Sequence, residues 1–391
     1  MSHKVVFLGA GYAGLPAAER LANQVFPGEV EVVVLTESPA FVERPRLHQL
    51  ATGQTLRDLQ LDRFLSRSGV RLRIGRAVAV DRAERRIEVL GGAGREDLTY
   101  DTLVYAAGSS VDLDAVPGVR RHAHAVNGPS ESERIHDQLQ HLHRDGGVVA
   151  VCGGGLTGIE VAAEIAERFP RLEVRLLSSG ETGGWLSEPA RRYLRRTFDR
   201  LDVAVTGRTR VTEVLARRLQ LSDGSVVPFD LCVWAGGFTV PDLAAKAGLQ
   251  VDDRGRVVTD RTLRSVSDPA VYAIGDAAAV PGPWGEALAM GCRTGGLTGP
   301  VVADVIAARL TGREPRAFAY RYFHECISLG RRQGLVQFLH RDESPAPRIL
   351  TGRVALAYKE MTLRSAVVLF RSPGPYLARR RHVVPTDVPA A

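Results

Sequence analysis

Apolar residues in this chain gather in short unbroken runs, most of them closed by glycine. Val5-Val6-Phe7-Leu8 runs into Gly9, Leu103-Val104-Tyr105-Ala106-Ala107 into Gly108, Val148-Val149-Ala150-Val151-Cys152 into Gly153, and Val271-Tyr272-Ala273-Ile274 into Gly275. Such runs, without polar alternation, predict strands buried on both faces, as in a parallel sheet covered by helices. Helical spacing follows at Leu15 to Leu21 and at Ile159 to Arg168, and further strands at Val30 to Leu35 and Val174 to Leu177. Strand, turn, helix, strand, written twice, predicts an α/β chain with two Rossmann-like units.

The turns carry chemistry. Gly9-Ala-Gly11-Tyr-Ala-Gly14 and Gly153-Gly-Gly155-Leu-Thr-Gly158 each stand between a strand and a helix, the context in which GxGxxG binds a dinucleotide. The first glycine makes the turn, the second lets the backbone approach a pyrophosphate, and the third lets the helix lie close to the sheet. The first N–H groups of the helix then face the phosphates. Glu37, just past the second strand, is placed to accept hydrogen bonds from ribose hydroxyls. The matching place in the second unit reads Ser178-Ser179-Gly180-Glu181, with no arginine immediately beside it for a 2′-phosphate, which favours NADH over NADPH. Small residues at other strand ends, Ala107-Gly108 and Gly236-Gly237, leave room for a close-packed cofactor.

Composition narrows the picture. At 45% hydrophobic and 24% charged, a chain of 391 residues can bury two or three domain cores, which excludes wholesale disorder. Its net charge of +7 rests almost wholly on arginine, since Lys4, Lys246 and Lys359 are its only lysines, and these arginines alternate with acids. No nucleic-acid partner is expected from so diffuse a charge. Cys152, Cys232, Cys292 and Cys326 show no metal or dithiol spacing, so neither a zinc site nor a CxxC redox pair is expected. Neither a signal peptide nor a membrane-length apolar run is present, and a cytoplasmic protein is the expectation.

Together these motifs resemble the two-dinucleotide-binding flavoprotein family, which includes pyridine nucleotide-disulfide reductases, ferredoxin reductases, apoptosis-inducing-factor-like proteins and type II NADH dehydrogenases. The resemblance covers about residues 1 to 315. It implies an FAD-binding domain in two pieces, 1–112 and 238–314, an inserted NAD(P)H-binding domain, 113–237, and a C-terminal domain, 315–391. Carried over by motif, Gly9, Gly11 and Gly14 would hold the FAD pyrophosphate, Glu37 the ribose, the backbone of Val78 the adenine, and Ala107, Gly108, Gly275 and Asp276 the rest of the cofactor. Gly153, Gly155, Gly158, Glu160, Glu181 and Gly236 would serve the nicotinamide nucleotide, with Glu160 near the nicotinamide and a solvated helix acid as its plain alternative. Phe41-Val-Glu-Arg44-Pro45-Arg46-Leu47-His48-Gln49 resembles the loop whose arginine, here Arg44, neutralises FAD phosphate. Gln49 stands where some branches place a flavin-contacting lysine.

Residues 38 to 60 contain no cysteine, which sets the chain apart from disulfide reductases. Cys292 is the one thiol expected near the flavin, with simple packing as its alternative. The segment from Cys326 to Gln337 resembles relatives of type II NADH dehydrogenases, while Ala289-Met290-Gly291-Cys292-Arg293-Thr294 replaces the alanine-glutamine pattern of the respiratory members. The resemblance therefore implies hydride transfer from nicotinamide to flavin, then electrons to a quinone or similar small molecule, with Gln49, Glu160 and Cys292 as candidate catalytic residues. A tailoring oxidoreductase of aromatic metabolites and a non-enzymatic NAD(H) sensor stay open as alternatives. A helix following Trp284-Gly285-Glu286 is expected at the flavin. The stretch Val354 to Phe370, interrupted by Lys359, Glu360 and Arg364 and followed by Arg379 to Arg381, reads either as an interfacial helix or as an element packed on the flavin domain. Packing is favoured, because tryptophan anchors are lacking. A homodimer is possible.

Overall fold

The computed structural model describes residues 2–374 and 380–384. The apolar runs form two parallel five-stranded sheets. The first is ordered Val271–Ala273, Thr102–Tyr105, His3–Leu8, Val30–Thr36, Arg71–Ile74. The second is ordered Val203–Thr206, Leu172–Leu177, Gly147–Cys152, Leu231–Trp234, His124–Ala125. Val5, Val6 and Phe7 are fully buried, as are Val149, Ala150 and Val151; in the second unit Val149 and Val151 share a core with the helix Leu156–Arg168, while Ala150 and Cys152 share one with the strands Val211–Leu215 and Arg218–Leu221. Each unit also carries a three-stranded antiparallel sheet, Arg76–Asp81 with Arg86–Gly91 and Gly94–Thr99 in one, Val211–Leu215 with Arg218–Leu221 and Val226–Pro228 in the other.

The first sheet is thus built from segments on both sides of the second. The two crossings between units pair with each other: Ser110–Val111 runs antiparallel to Phe238–Thr239. Beyond the long helix Cys292–Leu310, a third antiparallel sheet, His324–Ser328, Gly334–Leu339 and Pro345–Thr351, leads into the helix Gly352–Arg371.

Several elements depart from the sequence reading. The antiparallel sheet of the first unit includes Gly94–Thr99, a strand with no counterpart in the sequence reading, because its residues are mostly exposed and carry no apolar signal. No helix follows Trp284-Gly285-Glu286 directly; a bridge between Pro281 and Ala287 holds a loop there, and the helix begins at Cys292. Val354 to Phe370 lies within a helix that is docked, with Ala355, Lys359, Leu363, Val367 and Phe370 buried. The Phe370 ring packs on Tyr12 and Phe41 with centroids 5.4 Å away in both cases. Val354, Met361, Val368 and Leu369 stay exposed on its outer face. Among the described residues no helix is long and apolar enough to cross a membrane. Arg379 lies outside the described residues. Arg381 donates its backbone N–H to the Gln24 carbonyl at 3.0 Å, and the neighbouring His382 ring stacks on Phe26.

Candidate functional site

At the carboxyl end of each central strand the glycine loop forms the same cradle. Gly9 has φ of +117°, and a Cβ there would meet the Ala106 carbonyl oxygen at 2.2 Å; a Cβ on Gly14 would lie 2.0 Å from the Gly9 oxygen. The second loop repeats this. Gly153 has φ of +133° and faces the Ala235 oxygen at 2.6 Å, and Gly158 faces the Gly153 oxygen at 1.7 Å. Packing therefore demands glycine at the outer positions of both loops. At the middle positions, Gly11 and Gly155, a Cβ would meet nothing within 4 Å. The helices Gly14–Ala22 and Leu156–Arg168 start from these loops.

Elements distant in sequence close on the first cradle. Gly275, with φ of +66°, lies against Ala13, and the helix Cys292–Leu310 brings Gly295 and Gly299 onto the Ala13 backbone. Thr298 Oγ1 accepts from the Gly275 N–H at 3.1 Å. Asp276 accepts from Ser109 Oγ and from the Gly291 N–H, each at 2.6 Å. Arg44 donates to the Ser109 carbonyl, and burial lowers its pKa while Asp276 opposes the shift. Arg44, Ser109, Asp276 and Gly291 thus form one cluster that sets Cys292 at the head of its helix. The Cys292 side chain is exposed, yet desolvation, with Glu325 and Asp276 adding to it, pushes its thiol up to about 11. Cys326 is drawn into the same surroundings: burial, with Glu325, Glu160 and Cys292 against it, raises its thiol to about 12. Spacing gave no sign of this, because Cys326 arrives on the C-terminal sheet.

Glu37 is exposed at the end of its strand. Val78 sits at a register shift between Ala77 and Ala79, outside the ladder pairs of its strand. Ala107 is half-buried, and Gly108 has φ of +70° with open space around its Cα. In the second unit Trp234 Nε1 donates to the Gly236 carbonyl at 2.8 Å. Glu181 is partly exposed and lies 3.7 Å from Arg191, an arginine that folding brings near although sequence distance hides it. Cys152 and Cys232, far apart in sequence, have their sulfurs 3.9 Å apart inside the second sheet, and both are free thiols.

Glu160 is buried, and the solvated-acid alternative does not hold for it. Its Oε1 accepts from the Ser328 N–H at 2.8 Å, from Ser328 Oγ at 3.1 Å and from Lys359 Nζ. Burial works against ionisation of Glu160, but Lys359 and His48 hold its carboxyl below the usual range. The network continues outward. Glu164, one turn along the helix, accepts from Gln54 at 2.5 Å and lies 3.8 Å from Arg331. Glu360 bridges Arg46 at 2.8 Å and Arg331 at 3.0 Å. Gln49 accepts from Arg46 at 3.2 Å through Oε1, while its buried Nε2 has no partner. The sequence reading named Glu160 and Gln49 but missed His48, Ser328, Glu164, Arg331 and the inward role of Lys359. A lysine inside an otherwise apolar helical stretch was the available signal.

Two buried groups of this network titrate in opposite senses. Burial raises the Glu164 carboxyl to about 7, so its stabilising contribution is present at low pH and is lost as pH rises from about 4.5 through 7. Burial lowers the His48 imidazole to about 4, so its contribution is present above about 6.5 and is lost as pH falls through 4. The two largely offset each other in the intact protein. Urea unfolding from pH 4 to 7.5 is expected to show stability rising with pH in Glu164→Gln and falling with pH in His48→Gln, each by up to about 3 kcal/mol.

Comparison with known proteins agrees with these cradles. The family model described as pyridine nucleotide-disulphide oxidoreductase matches residues 3–291. A demethylphylloquinone reductase of Synechocystis sp. is 25% identical over 371 residues, covering 91% of this chain and 92% of its own. An NADH dehydrogenase-like protein of Mycobacterium tuberculosis is 31% identical over 302 residues, covering 71% and 73%. NDH2 from Plasmodium falciparum, solved in complex with NADH, superposes with a TM-score of 0.80 over 97% of this chain and 99% of its own at 15% identity, a likeness of fold. The chain belongs to the pyridine nucleotide-disulphide oxidoreductase family, as an NADH dehydrogenase-like oxidoreductase within it.

Proposed function

We propose that the chain is an FAD-dependent NADH:acceptor oxidoreductase whose acceptor is a quinone or a quinone-like small molecule. The carrying observation is the pair of cradles, in each of which protein packing explains the outer glycines and leaves the middle one, Gly11 or Gly155, facing open space. A residue kept small without a protein neighbour points to a bound group. The orphaned donor Gln49 Nε2 and the buried, unpartnered Tyr12 hydroxyl beside the first cradle fit the same reading.

On this reading Gly9, Gly11 and Gly14 hold the FAD pyrophosphate and Glu37 the ribose. Arg44 balances phosphate charge, and Asp276 keeps a lone pair on each oxygen for the ribityl hydroxyls. Gly153, Gly155 and Gly158 hold the nicotinamide nucleotide, with Glu181 and Gly236 around it. The flavin, when bound, supplies the redox chemistry, taking hydride from the nicotinamide and passing electrons on. The chain's own part is to orient, to exclude water and to place charge. In domain terms, 1–112 with 238–314 form the FAD domain, 113–237 the nucleotide domain and 315–391 the C-terminal domain. The reading includes no redox disulfide: all four cysteines are free, and the close pair Cys152 and Cys232 lies inside the second sheet. The quinone class draws on the name of the Synechocystis relative, which matches nearly end to end.

Anaerobic mixing of the yellow protein with NADH tests this directly. Flavin absorbance is expected to bleach, and menadione to restore it; a colourless protein, or one that NADH leaves yellow, would overturn the proposal. On this reading the exposed carboxylate of Glu181 would meet an added 2′-phosphate as like charge. Bleaching by NADPH is therefore expected to be slower by on the order of tenfold, with Arg191 limiting the difference, and equal rates would remove the preference for NADH.

A further inference from the structure

Passing two electrons from NADH to a quinone-like acceptor takes up one proton, since NADH + H⁺ + acceptor gives NAD⁺ and the dihydro-acceptor. The inference below rests on the proposed function. Hydride carries one hydrogen and both electrons, so the second hydrogen must enter from solvent. Glu160, Ser328 and Lys359 are each at most 6% exposed, and Lys359 acts on both the Cys292 and the Cys326 thiol, Glu160 on that of Cys326. Bulk water therefore does not reach Glu160 directly.

His48 closes that gap. It stands on the helix Leu47–Ala51, Glu160 and Glu164 stand on Leu156–Arg168, and Ser328 ends the strand His324–Ser328. The imidazole lies between the two carboxylates. Its Nδ1 is 3.6 Å from Glu160 Oε2, and its Nε2 is 3.9 Å from Glu164 Oε2 and 3.1 Å from Ser328 Oγ. Glu164 Oε2 is buried without a hydrogen bond, so nothing else claims it. On its outer side Glu164 meets Gln54, which is half-buried, and Arg331, whose side chain is 35% exposed. Solvent is one side chain away.

We propose that His48 is a positioning residue that relays protons from Glu164 to Glu160 during acceptor reduction. In each passage the O–H bond of Glu164 breaks and an N–H bond forms at Nε2, while the Nδ1–H bond breaks and an O–H bond forms on Glu160. No electron moves, Glu164 is reloaded from solvent, and the starting tautomer returns when the Nε2 proton passes to Ser328 Oγ, the Ser328 hydroxyl proton to Glu160 Oε1 and the Glu160 Oε2 proton back to Nδ1, which leaves Glu160 protonated. The groups facing this chain suit it. Burial raises the Glu164 carboxyl to about 7, against the pull of Arg331 and Gln54 and with the repulsion of Glu160 and Glu167, so near neutral pH it holds a proton about half the time. Burial keeps His48 neutral, helped by Lys359, Arg331 and Arg46 and opposed by Glu160, and a neutral ring can accept at one nitrogen while donating at the other.

The experiment compares the intact flavoprotein with His48→Gln and Glu164→Gln. Stopped-flow mixing in weak buffer with a pH-indicator dye follows bleaching by NADH, then recovery and proton uptake on adding menadione. The ratio of the recovery rate to the bleaching rate is expected to fall at least about tenfold in both variants, and proton uptake to fall with it. In the wild type recovery should slow as pH rises through about 7, and this limb should vanish in Glu164→Gln. Independently of turnover, ¹⁵N-histidine NMR of the oxidised protein should show a His48 signal, assigned by its loss in His48→Gln, that stays neutral at pH 6. Unchanged ratios and pH profiles with folded variants, or a charged His48 at pH 6, would overturn the relay. If NADH fails to bleach the flavin, the proposed function falls, and the nitrogen spectrum alone decides whether His48 is the neutral bridge described.

Discussion

Valine at Gly155 is expected to leave the protein folded and yellow while weakening NADH binding roughly 10- to 100-fold, the range corresponding to about 1–3 kcal/mol of steric cost. The expectation follows from what surrounds this glycine. Its φ of −81° and ψ of −175° are open to any residue, and a Cβ there would meet no protein atom within 4 Å. The branched side chain would instead occupy the space through which a pyrophosphate reaches the first N–H groups of the helix Leu156–Arg168. Gly158→Val is the contrasting variant: its Cβ would fall 1.7 Å from the Gly153 carbonyl oxygen, and loss of soluble folded protein is expected. Isothermal titration with NADH and circular dichroism separate the two outcomes. Undiminished NADH affinity in Gly155→Val would show that the second cradle does not hold the nucleotide.

Lys359→Met is expected to be the most destabilising single replacement in the buried network, by about 3–5 kcal/mol. Methionine fills the lysine's place in the helix Gly352–Arg371, but Glu160 would keep its charge among buried neighbours without its closest cation. Its pKa would then rise, and the variant would lose less stability in acid than at neutral pH. Glu160→Gln combined with Lys359→Met removes both charges, and much of the loss should return. Urea unfolding of the two variants and the wild type at pH 5 and pH 7.5 checks this; equal stability of Lys359→Met and wild type would mean that the ion pair contributes nothing net.

Both expectations bear on how much could be read in advance. The parallel strands and both glycine cradles were legible because their signals are local: apolar runs such as Val148 to Cys152, each followed at once by a GxGxxG spacing whose last glycine is forced by its first. Gly94–Thr99 escaped because it is exposed on nearly every position. The polar network escaped for a different reason. His48, Glu164, Ser328 and Lys359 come from four elements, and no spacing along the chain reports that they meet. Lys359 illustrates the difficulty. In sequence it interrupts an apolar stretch and suggests a surface, whereas in the fold its carbon stem is buried and its charge is met by Glu160. The same holds for Cys326, brought into the surroundings of Cys292 only by the third sheet.

The strand pair Ser110–Val111 and Phe238–Thr239 has a bearing on how the molecule assembles. Thr102–Tyr105 and Val271–Ala273 are neighbours in the first sheet, though the whole second unit intervenes between them. Left as loose coil, that interval would make their meeting entropically slow. Once the second unit has folded, its entry and exit lie side by side at a narrow neck, and the effective loop shrinks to little more than that neck. The topology therefore predicts an order of folding: the inserted unit first, as a local event, and the sheet around the first cradle only afterwards.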